Sequence, residues 1–192
     1  MKREEAIETV LDYIASKDIV VATTGKTGRE LFELREKRKE SHRQDFLNIG
    51  AMGHASMITL GIALAKPRRT VWCLDGDGAL VMHMGALAIV GATRSNNVRH
   101  IVLNNGCHDS VGGQPTAGFA IDIPAIAYAC GYRMTARAAS IRALQRALQK
   151  MCAHPKGPAL IEVIIKPGSR ADLGRPALSP QDMKKAFTKF VQ

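Results

Sequence analysis

From Val71 to Thr116 the chain reads VWCLDGDGALVMHMGALAIVGATRSNNVRHIVLNNGCHDSVGGQPT. Thr70 to Leu74 is a buried-strand run that turns at Asp75-Gly76-Asp77-Gly78-Ala79 into an apolar stretch, Leu80 to Val90, which predicts a helix. A second strand, His100-Ile101-Val102-Leu103, stops at Asn104-Asn105-Gly106, and the glycine-rich Val111-Gly112-Gly113-Gln114-Pro115 follows. Strand, glycine turn, helix, strand is a βαβ unit, and its functional crevice lies beyond the carboxyl ends of the strands.

Gly76 and Gly78 let backbone N–H groups approach an anion at the start of the following helix, which predicts phosphate. A dinucleotide fingerprint would place glycine or alanine at position 81 and an acid about 20 residues on. Val81 and Asn104-Asn105 stand there instead. Asp77 would repel a phosphate unless a divalent cation lay between them, so the turn implies a metal. Oxygen ligands suit magnesium. Asn105 follows Asp77 by 28 residues, enough for one helix and the next strand, so its amide oxygen can join the same site, with a backbone carbonyl from the loop beyond.

Outward from this unit, the same grammar repeats. Ile7, Val10, Leu11 and Ile14 give an apolar face to a helix over Arg3 to Ser16. Asp18 to Ala22 is β-branched and ends at Thr23-Thr24-Gly25-Lys26 before a helix from Gly28 to Glu36. That turn belongs on the same sheet edge, so Thr24, Gly25 and Lys26 are candidates to contact the anion; Lys26 is equally readable as an exposed lysine at a helix start. Phe46 to Ile49 is a short strand running into Gly50-Ala51-Met52-Gly53 and a helix from His54 to Ala65. Later come a helix within Phe119 to Cys130 started at Asp122-Ile123-Pro124, a short strand over Arg133 to Ala136 and an amphipathic helix from Ser140 to Cys152. A buried strand from Pro158 to Ile165, a basic extension from Pro167 to Pro180 and a terminal helix from Gln181 to Val191 complete the order. About six strands alternating with helices predict a single α/β domain over 1–192, a three-layer sandwich around a mostly parallel sheet, with 167–192 as a C-terminal extension.

Composition narrows the classes. A net charge of +10 with only 5% aromatics and no recognition motif argues against nucleic acid. No apolar run approaches the ~18 residues of a membrane span, and the charged Met1 to Glu5 lacks a signal-peptide core, so a cytoplasmic location is expected. Cys73, Cys107, Cys130 and Cys152 are widely spaced and read as reduced thiols. His108-Asp109-Ser110 spells the residue types of a hydrolase triad, but consecutive residues cannot converge as a triad does. His42, His100 and His154 carry no signal, while His54 and His83 stand beside the two glycine turns.

Gly76-Asp77-Gly78 with Asn104-Asn105 resembles the metal-diphosphate signature of thiamine diphosphate enzymes. DGDGALVMHMG (75–85), SVGGQPT (110–116), GAMGHA (50–55) and TTGKTGRELFEL (23–34) extend the resemblance to the phosphonopyruvate decarboxylases, in their carboxyl-terminal, diphosphate-binding half. The chain is more distantly similar to the beta subunit of sulfopyruvate decarboxylases. The resemblance implies thiamine diphosphate and Mg2+ as cofactors and a diphosphate-binding (PP-type) fold.

Its implied cofactor contacts are Thr24, Gly25, Gly50, Met52, Gly76, Asp77, Gly78, Ala79, Asn105, Cys107 and Ser110. The Gly50 carbonyl would accept from the aminopyrimidine, and Met52 would hold the cofactor bent. Asp77, Asn105 and the Cys107 carbonyl would bind the metal, with Gly78 and Ala79 giving N–H groups to the diphosphate. His108, Asp109 and His54 are the candidate substrate-facing or catalytic residues. The activating glutamate of such enzymes sits in a separate pyrimidine-binding domain, for which 192 residues leave no room. The expected assembly is therefore a beta chain with a pyrimidine-binding alpha subunit, a hetero-oligomer such as a dimer of heterodimers, acting on a small anionic 2-oxo acid. A non-catalytic phosphate-binding module of the same fold is the contrasting expectation, and the intact Asp77 and Asn105 speak against it.

Overall fold

The computed structural model describes residues 1–153 and 156–192; His154 lies outside the described residues. The elements run α1 (Arg3–Leu11), β1 (Ile19–Ala22), α2 (Lys26–Lys37), β2 (Asp45–Leu47), α3 (Ala55–Ala65), β3 (Val71–Gly76), α4 (Asp77–Met82), α5 (Ala86–Thr93) and β4 (Val98–Asn104). They continue with α6 (Ile123–Ala129), β5 (Met134–Ala138), α7 (Ile141–Ala153), β6 (Ala159–Ile164) and α8 (Pro180–Val191).

One six-stranded sheet in the order β2-β1-β3-β4-β6-β5 forms the middle layer, with every pairing parallel. Strand residues alternate between two cores because successive side chains point to opposite faces. Val20, Trp72, Leu74, Ile101 and Ile161 pack against α1, α2 and α7. Val21, Cys73, Val102 and Leu160 pack against α3, α4, α5, α6 and α8. β4 is buried at all seven positions, as a central parallel strand covered on both faces must be.

The sheet's topology fixes where a ligand can enter. From β1 the chain passes outward to β2, whereas from the adjacent β3 it passes the other way to β4. Their outgoing turns therefore diverge and leave a crevice at the carboxyl ends, the switch point of an open α/β sheet.

Two helices differ from the sequence expectation. The first stops at Leu11 instead of running to Ser16. The apolar stretch from Leu80 to Val90 is split into α4 and α5, because His83 leaves helical geometry at φ −129° and ψ 47°. The ring of His83 stands edge-on against that of His54, centroids 4.5 Å apart. Gly53 makes room for it, since a Cβ there would come within 2.3 Å of His83 Nδ1. Apolar spacing continues through the break, so periodicity alone does not register it.

Candidate functional site

At the crevice lies a cleft of about 200 Å³. Its walls come from the turn after β1, with Thr23, Thr24, Gly25 and Lys26, and from the turn after β3, with Gly76, Asp77, Gly78 and Ala79. The loop after β4 adds Asn105, Cys107, His108, Asp109 and Ser110, while Met52 enters from the turn beyond β2. Thus segments far apart in the chain meet because parallel strands deliver all their carboxyl ends to one edge.

Glycine is required at two points of this wall. Gly25 has φ +98°, and a Cβ on it would lie 2.5 Å from Ser110 Oγ. A Cβ on Gly78 would lie 2.5 Å from His108 Cε1 and 3.1 Å from Thr116 Cγ2. Both turns are pressed against the loop after β4, leaving their backbones as the cleft lining.

Asp77 is the first residue of α4 and is only 2% exposed. Among the described residues its carboxylate has one side-chain partner, the hydroxyl of Thr116. A buried carboxylate facing no cation is costly to desolvate, and an oxygen-binding metal would offset that cost. Asn105, also buried, accepts from Cys107 N at 3.2 Å through Oδ1 and donates to Asp109 at 2.8 Å through Nδ2. Its amide orientation is thereby fixed, with one lone pair of Oδ1 still available. Thr23 Oγ1 is buried without a partner at the same cleft. An acidic oxygen, an amide oxygen and backbone carbonyls form a hard donor set, which fits Mg2+ with a phosphate ligand.

Burial, then the hydrogen bond and charge of Asp109, push the Cys107 thiol up to about 11. Its thiol also donates to Asp109 at 3.1 Å, so the side chain is tied into the loop. Asp109 is committed to anchoring. Its carboxylate accepts from Arg3 at 3.1 Å, Asn105, the Cys107 thiol and the Gly168 N–H at 3.0 Å. Burial raises its pKa, but the Cys107 thiol, the Gly168 N–H and Arg3 together outweigh that and hold it below the usual carboxylate range.

Gly50 and His54 border the cleft without lining it. Gly50, at φ +91°, donates its N–H to Thr24 Oγ1 at 3.3 Å, which ties the two turns together. His54 sits at the N-cap of α3, its Nδ1 3.1 Å from the Met52 carbonyl.

Several supports had no clear sequence signal. Arg3 is a charged residue of the opening helix, yet it is 5% exposed and reaches Glu30 at 3.0 Å, Asp109, and the Gly168 carbonyl at 3.1 Å. Gly118 closes over Asp77: a Cβ there would lie 2.5 Å from Asp77 Oδ2 and 2.6 Å from Asn104 Oδ1. Asn104 donates to Glu162 at 2.7 Å and to the Gly118 carbonyl at 2.8 Å, so β6 braces the loop. His100 is buried beneath the glycine turn, 3.3 Å from Asp75, whose other oxygen accepts the Gly76 N–H at 2.9 Å. Asn104, in the Asn104-Asn105 pair, and Thr116, in the SVGGQPT motif, are supports that the sequence motifs contain.

The family described as thiamine pyrophosphate enzyme, C-terminal TPP binding domain, matches residues 23–163. The chain belongs to this family. Within the thiamine pyrophosphate enzymes it is 43% identical over 189 residues to a phosphonopyruvate decarboxylase of Streptomyces viridochromogenes, covering 98% of this chain and 46% of that protein. It is 44% identical to another phosphonopyruvate decarboxylase, from Streptomyces hygroscopicus, covering 45% of it. The chain thus spans about half the length of these two relatives. By contrast it covers 96% of the sulfopyruvate decarboxylase subunit beta of Methanothermobacter thermautotrophicus, at 32% identity. A solved structure of a proposed thiamin diphosphate-dependent enzyme from Mycobacterium smegmatis shares the fold, with TM-score 0.69 at 22% identity over 88% of this chain and 32% of that one. Among the described residues, no helix is long and apolar enough to cross a membrane.

Proposed function

We propose that the chain is the diphosphate-binding subunit of a thiamine diphosphate- and Mg2+-dependent decarboxylase that converts phosphonopyruvate to phosphonoacetaldehyde and CO2, in phosphonate biosynthesis in the cytoplasm. The observation that carries this reading is the buried carboxylate of Asp77, in no ion pair with another side chain among the described residues, set against glycine backbone in a cleft with Asn105. Identity of 43 and 44% to phosphonopyruvate decarboxylases, against 32% to the sulfopyruvate beta subunit, supports the phosphonate substrate over the sulfonate one.

Bound thiamine diphosphate supplies the carbon nucleophile and electron sink that loss of CO2 from a 2-oxo acid requires. The chain's own part is positioning and charge. Asp77, Asn105 and the Cys107 carbonyl hold the metal, and the N–H groups of Gly78 and Ala79 neutralise diphosphate oxygens. Thr24, Gly25 and Ser110 close the opposite wall, with Lys26 at its rim. Gly50 and Met52 orient the rings of the cofactor, and His108, in the cleft wall, is a side chain placed to meet the substrate.

Similarity along 96% of a sulfopyruvate decarboxylase subunit beta supports a second polypeptide that carries the pyrimidine-binding domain. The test is co-purification with such a chain, followed by assays of phosphonopyruvate, sulfopyruvate and pyruvate in parallel. Phosphonopyruvate turnover by the pair, dependent on cofactor and Mg2+, is expected. Turnover by this chain alone refutes the two-subunit reading, and preference for sulfopyruvate transfers the assignment to the sulfonate enzyme.

A further inference from the structure

A second cavity, about 560 Å³, adjoins the cofactor cleft and shares Thr24, Gly25 and Ser110 with it. It is the roomier of the two. Its outer wall is the segment before α8 and the first turn of that helix, and its inner wall is the end of β2. Leu47, Ile49, Leu178 and Met183 make most of the lining apolar. Two arginines, Arg29 of α2 and Arg175, complete it, and no acidic residue lines it among the described residues.

What distinguishes these arginines is their shared cavity: lacking an ion pair is a state they have in common with Arg68, Arg94, Arg133, Arg142 and Arg146 among the described residues, but these two line one space with no carboxylate in its wall. Arg3, Arg35, Arg38, Arg137 and Arg170 are all paired with carboxylates. Neither Arg29 nor Arg175 forms an ion pair or side-chain hydrogen bond among the described residues, though both border the same largely apolar space. Guanidinium groups match tetrahedral oxyanions through paired N–H donors, and an apolar surround strengthens that attraction.

We infer that this cavity is the subsite for the anionic tail of the substrate, with Arg29 and Arg175 gripping a phosphonate or sulfonate group while the 2-oxo acid end passes Thr24 and Gly25 into the cofactor cleft. The inference rests on the decarboxylase reading for the identity of the substrate, but not for the anion site itself. Arg29 and Arg175 are then specificity determinants supplied by this chain, and Arg175 makes the C-terminal segment a working part of the pocket.

Two measurements test it with Arg29→Gln, Arg175→Gln and the corresponding lysine variants. In the assembled two-chain enzyme, the kcat/KM preference for phosphonopyruvate over pyruvate falls about ten- to a hundredfold per glutamine substitution, mainly through KM, as expected for losing hydrogen bonds to a charged group. Lysine restores part of it. In the chain alone, methylphosphonate titrated by NMR shifts the two arginine side-chain signals, and each glutamine variant weakens that binding by a similar factor. An unchanged substrate preference, or methylphosphonate binding indifferent to both substitutions, overturns the subsite. Should the pair turn over no 2-oxo acid while arginine-dependent methylphosphonate binding persists, the decarboxylase reading falls and the anion subsite stands.

Discussion

The hydroxyl of Thr116 donates to the carboxylate of Asp77 across 39 residues of chain, clasping the loop after β4 onto the glycine turn after β3. Among the described residues this is the only side chain that satisfies Asp77, so the carboxylate is held in place while its charge stays available. Thr116→Val removes that donor and leaves the shape. A cost of about 1 kcal/mol in stability is expected, with about a tenfold loss of Mg2+-dependent cofactor affinity. Calorimetric titration of thiamine diphosphate into the assembled enzyme checks it.

Asp77→Asn separates folding from binding. Removing a buried charge that lacks a cation relieves its desolvation cost, so apo stability rises by ~1 kcal/mol, or a few degrees of Tm at this chain length. The same change removes the metal's acidic ligand. Thermal shift without ligands should increase, and the further shift produced by cofactor with Mg2+ should vanish.

Gly25→Ala places a methyl group against Ser110 at a residue with φ +98°, and Gly118→Ala drives one onto Asp77 and Asn104. Backbone strain and steric contact together for Gly25→Ala, and steric contact alone for Gly118→Ala, cost about 1–3 kcal/mol each. Urea unfolding measures the cost. Pairing Gly25→Ala with Ser110→Gly should recover part of it, since the second change removes the contacted atom but not the strain.

Acid should loosen the loop after β4 through Asp109. Its folded pKa is depressed, so its contribution is present above the unfolded value of about 3.9 and is lost as pH falls through the lower folded value. Wild-type Tm is therefore expected to drop more steeply below about pH 4 than that of Asp109→Asn. Parallel curves for the two proteins would remove Asp109 from the acid response. Glu30 acts with the opposite sign: burial raises its pKa despite Arg3, so acidification through that raised value relieves a cost and partly masks the Asp109 effect. Glu30→Gln in both backgrounds resolves the two.

Cys107 gives a chemical test of the loop. With its thiol pushed up to about 11, first by burial and then by Asp109, it should react with iodoacetamide at pH 8 far more slowly than an ordinary cysteine. Asp109→Asn should speed the reaction. Cys107→Ala should keep Mg2+ and cofactor affinity, because the proposed donor is the backbone carbonyl.

The alternation of strands and helices and the position of the cleft were largely legible in the sequence because they depend on local signals, whereas the spatial order of the strands was not. β-branched runs end at glycine turns, and parallel strands must all deliver those turns to one edge, which brings Thr24, Asp77 and Asn105 together, while Met52 is marked by the family resemblance. What escaped notice depends on tertiary partners. Arg3 looks like a solvated helix residue until Glu30 and Asp109 are seen around it. Gly118 is silent without the two side chains it admits, and the break at His83, which packs on His54 just before Gly85 caps the next helix, is masked by apolar spacing that continues through it. Asp109 read as a residue for substrate because it borders the cleft, and only its partners disclose that its oxygens are already engaged.

The divergence of chain direction between β1 and β3 carries a consequence for how the protein acquires its chemistry. Since that opening exists only between neighbouring strands from distant parts of the polypeptide, a synthetic peptide spanning 71–116 would carry the metal ligands and still possess no cavity to put them in. Ligand recognition should accordingly emerge late in refolding, in the same kinetic phase as global assembly, and vanish with it in a single cooperative step on heating.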